Sequence, residues 1–70
     1  MKFKANEYTK GEIIRIIREW TELTQQEFGD AIGKSRMSIQ GYELGRTNYG
    51  IDVLLEIARK FNVTITIEKK

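Results

Sequence analysis

Residues 24–45 read TQQEFGDAIGKSRMSIQGYELG and carry the clearest structural pattern of this chain. Thr24 opens a T-x-x-E capping box, which satisfies free N–H groups at a helix start and predicts a helix from the next residue. Gly33 ends this helix, because the position after a last turn commonly needs a positive φ. Ser35 then caps a second helix that is predicted to end at Gly45. The sequence therefore predicts two short helices joined by a tight turn.

Each of these two helices has one apolar face. The inward residues are expected to be Phe28, Ala31, Ile32 and Ile39, with Tyr42 or Glu43 beside them. Gly29 costs the first helix roughly 1 kcal/mol relative to alanine, so we expect a close approach of the second helix there. Mostly polar side chains occupy the opposite face of the second helix. This layout is typical of a helix-turn-helix that contacts DNA.

Two further helices flank this pair. A second T-x-x-E box begins at Thr9 and predicts a helix over residues 10–22. Apolar residues at helical spacing predict another helix over residues 51–61, with Asp52 as the alternative start. Its inward residues are expected to be Leu54, Ile57, Ala58 and Phe61. Asn62 suits the left-handed position after its last turn.

The two ends of the chain favour extended structure. Residues 1–8 alternate weakly and predict a short strand or an ordered arm. Residues 63–68 alternate β-branched with polar side chains, which predicts a strand whose buried face carries Val63, Ile65 and Ile67. A single strand is not stable alone, so it must pair with the N-terminal arm or with the same strand of a second subunit.

The first helix carries more apolar residues than one small bundle needs. Ile13, Ile16 and Trp20 form a second stripe beside Ile14 and Ile17. We expect a further element to pack on this stripe, either the terminal strands or a partner subunit.

Length and composition limit the possible functions. We expect one domain over residues 1–70, a mainly α bundle of four to five helices with a C-terminal strand. The chain has no cysteine and no histidine, so no enzyme, metal site or cofactor is expected. The net charge of +2 is only mildly basic. No apolar run approaches the roughly 20 residues of a membrane span, and no signal peptide is evident, so we expect a cytoplasmic protein with no membrane partner.

The run from Thr24 to Gly45 resembles the Cro/Xre-type helix-turn-helix of phage repressors and small bacterial regulators. The glutamine after the cap, the glycine in the turn, the S-x-x-S-I segment and the E-x-G ending coincide at fixed spacing. The similarity continues through LLEIARKFNV, residues 54–63, and covers about residues 12–65. It implies a Cro/repressor-like bundle of four or five helices.

The resemblance also implies which residues contact DNA bases. Arg36 and Met37 match the first exposed positions of the recognition helix, and Gln40 and Gly41 lie one turn further along the same face. Arginine can bond guanine bidentately, glutamine can pair with adenine, and methionine can offer apolar contact to a thymine methyl. Arg36 stands at a helix start, where a positive charge is unfavourable, and this favours a functional reason for it. Family members often carry a long polar residue where Gly41 stands.

A second set of residues is expected to contact DNA phosphates. Gln25 matches a glutamine that bonds a phosphate from the start of its helix, where the free N–H groups favour the same anion. The other members are Lys34, Ser35, Arg46, Thr47, Asn48 and Tyr49. For Tyr49 the alternative is packing against the last helix, and family members often carry a proline there. Arg18 and Glu43 match a family pair that forms a partly buried structural ion pair.

Two functions remain open from the sequence. The leading hypothesis is a sequence-specific regulator of transcription that binds double-stranded DNA. It would be a dimeric repressor on an inverted repeat, with residues 35–44 in the major groove. The alternative is a protein-interaction module, such as a toxin-binding antitoxin that also regulates its own gene. Its binding surface would be the stripe Ile13, Ile16 and Trp20 with the terminal strand.

Overall fold

The computed structural model describes residues 1–68; Lys69 and Lys70, the last two residues of the expected 1–70 domain, lie outside the described residues. Within residues 1–68, four α-helices lie between two short strands. Their bounds are β1 Lys2–Lys4, α1 Lys10–Thr21, α2 Gln25–Ile32, α3 Arg36–Leu44, α4 Ile51–Phe61 and β2 Thr64–Thr66, with one 3-10 turn at Ala5–Glu7. The prediction of a mainly α bundle with a C-terminal strand is confirmed.

Side-chain caps and left-handed residues set the helix ends at the predicted positions. The hydroxyls of Thr9 and Thr24 each accept a hydrogen bond from the N–H three residues later, and the matching glutamates complete both capping boxes. Ser35 caps α3 in the same way. Gly33 and Gly45 have φ angles of 73° and 75°, which glycine adopts without the steric cost that a Cβ brings. The turn between α2 and α3 is therefore fixed by local chemistry.

One hydrophobic core lies where the helices meet. Its fully buried large side chains are Ile14, Ile17, Phe28, Ile39 and Ile57. The Phe28 ring stacks on Phe61 with 4.9 Å between ring centroids, which joins α2 to α4 by an aromatic contact. Val53 is also buried, which the sequence pattern did not predict, and so is Tyr49, for which packing within the fold was the alternative. Ala58 and Phe61 are only half-buried.

The terminal strands pair in parallel within one chain, and the register places Phe3 opposite Ile65. This pairing with the N-terminal arm was one of the two expected alternatives. Phe3 and Val63 are buried and Ile65 is half-buried. Ile67 is exposed, so the prediction that it lies on the buried face is wrong. The observed strand is shorter than the predicted 63–68 and ends at Thr66. The alternating sequence continues to Ile67, but the strand does not.

The apolar surplus on α1 is partly covered within the chain. Ile13 is buried in the same cluster as Phe3 and Val63, and Ile16 packs against that cluster. The first two residues of the stripe are therefore part of the core or packed against it. Trp20, nearer the end of α1, remains exposed.

Two glycines allow α3 and the turn before it to lie close to neighbouring backbone. A Cβ on Gly11 of α1 would lie 2.6 Å from the Glu43 carbonyl oxygen. A Cβ on Gly29 would lie 2.5 Å from the Lys34 carbonyl oxygen and 3.2 Å from Cγ1 of Ile39. The close approach expected at Gly29 is confirmed, and Gly11 is a second such position that the sequence pattern did not predict.

We expect Gly29→Ala to lower the free energy of unfolding by about 1–3 kcal/mol, because the new methyl group would collide with backbone that cannot move freely. The matched control is Gly41→Ala in α3. There the new Cβ would meet only the Thr47 side chain, at 2.8 Å, which can rotate away. The control should be neutral or gain up to about 1 kcal/mol from better helix propensity. Urea unfolding of both variants measures the two changes in the free energy of unfolding. A loss of stability in both variants, or a gain in both, would contradict the close contact at Gly29.

Candidate nucleic-acid interface

Helix α3 has one anchored face and one free face. Ile39 and Tyr42 point into the core and are buried. Arg36, Met37 and Gln40 are all exposed, and the spacing of three and four residues places them on one side of the helix. The structure thus brings together, on one exposed surface, three of the four residues expected to contact bases. We call Arg36, Met37 and Gln40 the outer face of α3.

Gly41 differs from these three because the loop after α3 lies over it. Gly41 is half-buried, and the N–H groups of Arg46 and Thr47 donate to its carbonyl oxygen at 2.9 Å and 3.3 Å. The exposed Thr47 side chain lies where a Cβ at position 41 would point. A group that approaches Gly41 therefore meets Thr47 as well, and the polar group at this place comes from the loop rather than from the helix.

A bidentate ion pair lies beneath the outer face and joins α1 to α3. Nε of Arg18 lies 2.6 Å from Oε2 of Glu43, and Nη2 of Arg18 lies 3.0 Å from Oε1. Nη1 of Arg18 also donates to the Leu23 carbonyl oxygen at 3.1 Å. The side chains are 18% and 6% exposed, respectively, so the pair is largely removed from water. The hydrogen bonds to Glu43 raise the pKa of Arg18 above its ordinary value, which keeps the guanidinium charged.

Gln25, the first residue of α2, adds to this pair. Its Nε2 donates to Oε1 of Glu43 at 3.4 Å, and the residue is half-buried. One carboxylate on α3 is therefore bonded from both α1 and α2. Gln25 remains at the N-terminus of α2, where the first backbone N–H groups have no partner within the helix.

The turn between α2 and α3 holds two of the residues expected to contact phosphate. The Ser35 hydroxyl accepts the Ser38 N–H at 3.1 Å and donates to Oγ of Ser38 at 3.0 Å, so its first role is to cap the helix. Lys34 is half-buried and lines a hollow of about 350 Å³ together with Asp52 and Glu56 of α4. The ammonium of Lys34 therefore has acidic residues around the same hollow.

The loop after α3 adds positive charge beside the outer face. Arg46, Thr47 and Asn48 are all exposed. Arg36 and Arg46 form no salt bridge with any residue in the part of the chain that the structure describes. Glu43 is already bonded to Arg18. The surface formed by the outer face and this loop therefore carries positive charge that no acidic side chain neutralises within residues 1–68.

Tyr49 lies inside the fold. Its ring is buried and packs edge to face on Tyr42, with 5.3 Å between ring centroids. Its hydroxyl donates to the Lys10 carbonyl oxygen at 2.7 Å, and Nζ of Lys10 donates to the Tyr49 carbonyl oxygen at 2.6 Å. This placement is at odds with the expectation that the Tyr49 side chain contacts phosphate. The side chain bonds the loop to the start of α1, and it belongs to the same core cluster as Val53 and Leu54 of the last helix.

Leu44 is the exposed residue of α3 to which the sequence analysis assigned no role. It continues the spacing of Arg36 and Gln40 by one more turn, and this periodicity could have placed it on the same side.

Every buried side-chain nitrogen and oxygen of the described residues has a hydrogen-bond partner, so the groups available to a ligand are the exposed ones. Among residues 1–68, no three acidic side chains converge in a way that could hold a metal ion. No helix in that range is long and apolar enough to cross a membrane.

We expect Arg18→Met to destabilise the protein by about 3–5 kcal/mol, because it leaves the nearly buried Glu43 carboxylate without its charged partner. The double variant Arg18→Met with Glu43→Leu should recover most of this loss, since it leaves no unpaired charge. Chemical unfolding of the single and double variants measures both effects. A loss below about 1 kcal/mol in the single variant, the usual value for an exposed pair, would contradict the structural role.

Stability is also expected to fall at high pH through Tyr49. Burial raises the pKa of Tyr49 from about 10 to about 12. The folded state therefore holds this proton more tightly than the unfolded state. The stabilisation is complete below about pH 10 and is lost as the pH rises through about 12. The free energy of unfolding is measured below about pH 10 and again near about pH 12. Between these two conditions it should fall more in the wild type than in Tyr49→Phe, which keeps the other groups that titrate at high pH. An equal fall in the two proteins would show that Tyr49 is not the group responsible.

Comparison with a curated protein identifies a relative whose role is known. Antitoxin PezA of Streptococcus pneumoniae serotype 4 is 37% identical to this chain over 54 residues. The matched region is 77% of this chain and 34% of PezA, so the chain spans about a third of that relative.

The fold also resembles that of a solved repressor. The P22 c2 repressor protein, crystallised in complex with the synthetic operator 9T, superposes with a TM-score of 0.70 and 24% sequence identity. The superposition covers 81% of this chain and 86% of the repressor chain. A family model described as helix-turn-helix, HTH_3, matches residues 14–67, which is most of the chain. These findings confirm the resemblance that the sequence motifs indicated, and the chain belongs to this helix-turn-helix family.

Proposed function

We propose that this chain is a sequence-specific DNA-binding regulator of transcription that places α3 in the major groove. The observation that carries the proposal is the two-sided construction of α3. Ile39, Tyr42 and the bonded Glu43 hold one side in the fold, while the outer face carries exposed side chains. The B-DNA major groove admits an α-helix presented in this way. The membership of the helix-turn-helix family and the operator-bound fold relative support the same function.

The outer face has the chemistry needed to distinguish base pairs. The guanidinium of Arg36 can donate two hydrogen bonds to O6 and N7 of guanine. The side-chain amide of Gln40 can both donate to and accept from adenine. Met37 offers an apolar contact for a thymine methyl group. Gly41 would bring backbone near the DNA, and the Thr47 side chain that lies beside it would supply the polar group there.

Contacts to phosphates would position this helix without selecting a sequence. The N-terminus of α2 at Gln25 offers free backbone N–H groups to an anion. The exposed loop beside α3 contributes Arg46, Thr47 and Asn48, and the turn contributes Lys34 and Ser35. Because the Tyr49 side chain is bonded within the fold, we leave it out of this set. Such contacts release counterions, so the affinity should fall steeply with salt.

A dimer on an inverted repeat follows from the size of one module. A single helix contacts only a few base pairs, so a second copy is needed for useful affinity and specificity. The two half-sites would then lie about 34–36 Å apart, one turn of DNA. We propose a repressor that acts by occupying such a site in the cytoplasm, and we assign it no catalytic residue, cofactor or membrane partner.

A protein partner is the second candidate function. It is favoured by the similarity to an antitoxin and by Trp20, a large aromatic side chain that remains exposed on α1. Aromatic anchors of this kind commonly dominate binding between proteins. In this role the chain would bind a toxin and regulate its own gene through the same helix-turn-helix.

Selection of bound sites from a randomised DNA library at about 0.1 M salt tests the main proposal, with Arg36→Ala and Arg46→Ala compared as matched arginine variants. The wild type should enrich an inverted repeat. Arg36→Ala should lose the guanine preference at one position of each half-site and about 1–3 kcal/mol of discrimination. Arg46→Ala should weaken binding to all sequences about equally and reduce the salt dependence by about one counterion.

If Arg46→Ala lost the guanine preference and Arg36→Ala weakened binding to all sequences equally, the base contact would be assigned to the wrong arginine. If the folded wild-type protein enriches no sequence at all, the DNA-binding proposal fails. A protein captured by the wild type but not by Trp20→Ala would then support the second candidate.

A further inference from the structure

The start of α1 and the loop after α3 are joined by two reciprocal hydrogen bonds. Nζ of Lys10 donates to the Tyr49 carbonyl oxygen at 2.6 Å, and the Tyr49 hydroxyl donates to the Lys10 carbonyl oxygen at 2.7 Å. The same ammonium lies 4.7 Å from the centre of the Tyr49 ring, within the range of a cation–π contact. Three contacts therefore link two residues that are 39 positions apart in the chain.

Lys10 stands where a lysine is locally unfavourable. It is the first residue of α1, and the positive end of the helix dipole disfavours a cation there. Within residues 1–68, no carboxylate forms a salt bridge with its ammonium. The contact with Tyr49, rather than the helix, therefore accounts for a lysine at this position.

The loop that these contacts hold is the one that we assign to DNA phosphates. Arg46, Thr47 and Asn48 are exposed, and they come directly before Tyr49, which is buried. At the other end of the loop, the N–H groups of Arg46 and Thr47 donate to the Gly41 carbonyl oxygen. A loop attached at both ends loses less conformational freedom on binding, and this lowers the free-energy cost of association. The exposed segment is thus held in one conformation before DNA arrives.

We propose that Lys10 is a positioning residue for DNA binding, whose ammonium holds the loop in the conformation that contacts phosphates. Its hydrogen bond goes to the main chain of Tyr49, so it fixes backbone and does not itself touch DNA. Because phosphate contacts set position and not sequence, loss of Lys10 should weaken binding to every sequence by the same factor. The proposal rests on the proposed function only in its DNA arm, because the order of the loop is measured without DNA.

Amide hydrogen exchange of the DNA-free protein tests the hold on the loop. Lys10→Met keeps an unbranched side chain but removes the charged donor. In this variant the amides of Arg46 and Thr47 should exchange about tenfold faster than in the wild type, as expected when one hydrogen bond to a charged group is lost. The matched control is Lys2→Met, which removes the same charge from an exposed lysine of β1. It should leave the exchange of both amides unchanged.

The affinity for the selected inverted repeat, at about 0.1 M salt, tests the role in DNA binding. Lys10→Met should raise the dissociation constant about five- to tenfold on specific and on random DNA alike, since the loop must then be ordered during binding. Lys10→Arg keeps a charged donor and should recover most of the affinity. Lys2→Met should bind as the wild type does. Circular dichroism establishes that each variant is folded under the conditions of binding.

A double-variant cycle separates this role from a direct contact between Lys10 and a phosphate. Tyr49→Phe removes the hydroxyl that bonds the Lys10 carbonyl, but it keeps the main-chain carbonyl that accepts from the ammonium. If both bonds hold the same loop, the double variant should bind less than about threefold more weakly than the weaker of the single variants. If Lys10 contacts DNA itself, the two fold-changes should multiply, and the positioning role is overturned.

The outcomes separate this proposal from the DNA-binding one. Unchanged exchange of the loop amides in Lys10→Met overturns it whatever the DNA result, and so does faster exchange with unchanged affinity. If exchange rises but the library selection with the wild type enriches no sequence, the hold on the loop stands, whereas the proposed function fails and the DNA role of Lys10 fails with it. Faster exchange, equally weakened binding to all sequences and a cycle in which the fold-changes do not multiply support both proposals.

Discussion

The placement of α3 depends on the ion pair between Arg18 and Glu43. Two direct hydrogen bonds join the guanidinium to the carboxylate, and Gln25 bonds the same carboxylate from α2. Burying charges costs free energy, which is offset only when the geometry is good and the remaining donors and acceptors are satisfied. Here Arg18 also bonds the Leu23 carbonyl, so the group is held from several sides. Three helices thus share one polar contact, and the direction of the outer face is fixed by it.

Close backbone contact completes what the ion pair begins. Gly11 lets α1 approach the carbonyl groups at the end of α3, and Gly29 lets the Lys34 carbonyl and Ile39 approach α2. Tyr49 then bonds the loop after α3 to the start of α1. A chain of 70 residues has a thin core, so specific contacts of this kind account for much of what makes one arrangement unique. The rigid support lies on the inner side of α3, and the exposed side is left free for a ligand.

The surface of the molecule is divided between two regions of different chemistry. The outer face of α3 and the following loop are rich in positive and polar groups, whereas a groove between α4 and β2 is apolar. The groove is lined by Ile51, Leu54, Leu55, Ala58, Ile65 and Ile67. No residue of the groove belongs to α3 or to the loop at residues 46–48. The terminal sheet contributes to this division, because Ile65 of β2, with Ile67 just after the strand, supplies one wall of the groove.

The sequence by itself determined the local structure of this protein. Capping boxes at Thr9 and Thr24 and glycines at 33 and 45 fixed the helix ends, because these interactions involve residues within a few positions of each other. The helix-turn-helix motif also predicted that Arg36, Met37 and Gln40 lie on an exposed face of α3, since a helical face follows from the spacing of residues. Tertiary structure alone decided the burial of Tyr49, the cover of Gly41 by Thr47, the exposure of Ile67 and the parallel pairing of the two ends. Each of these depends on which distant segments come together in space, and no pattern within one segment carries that information.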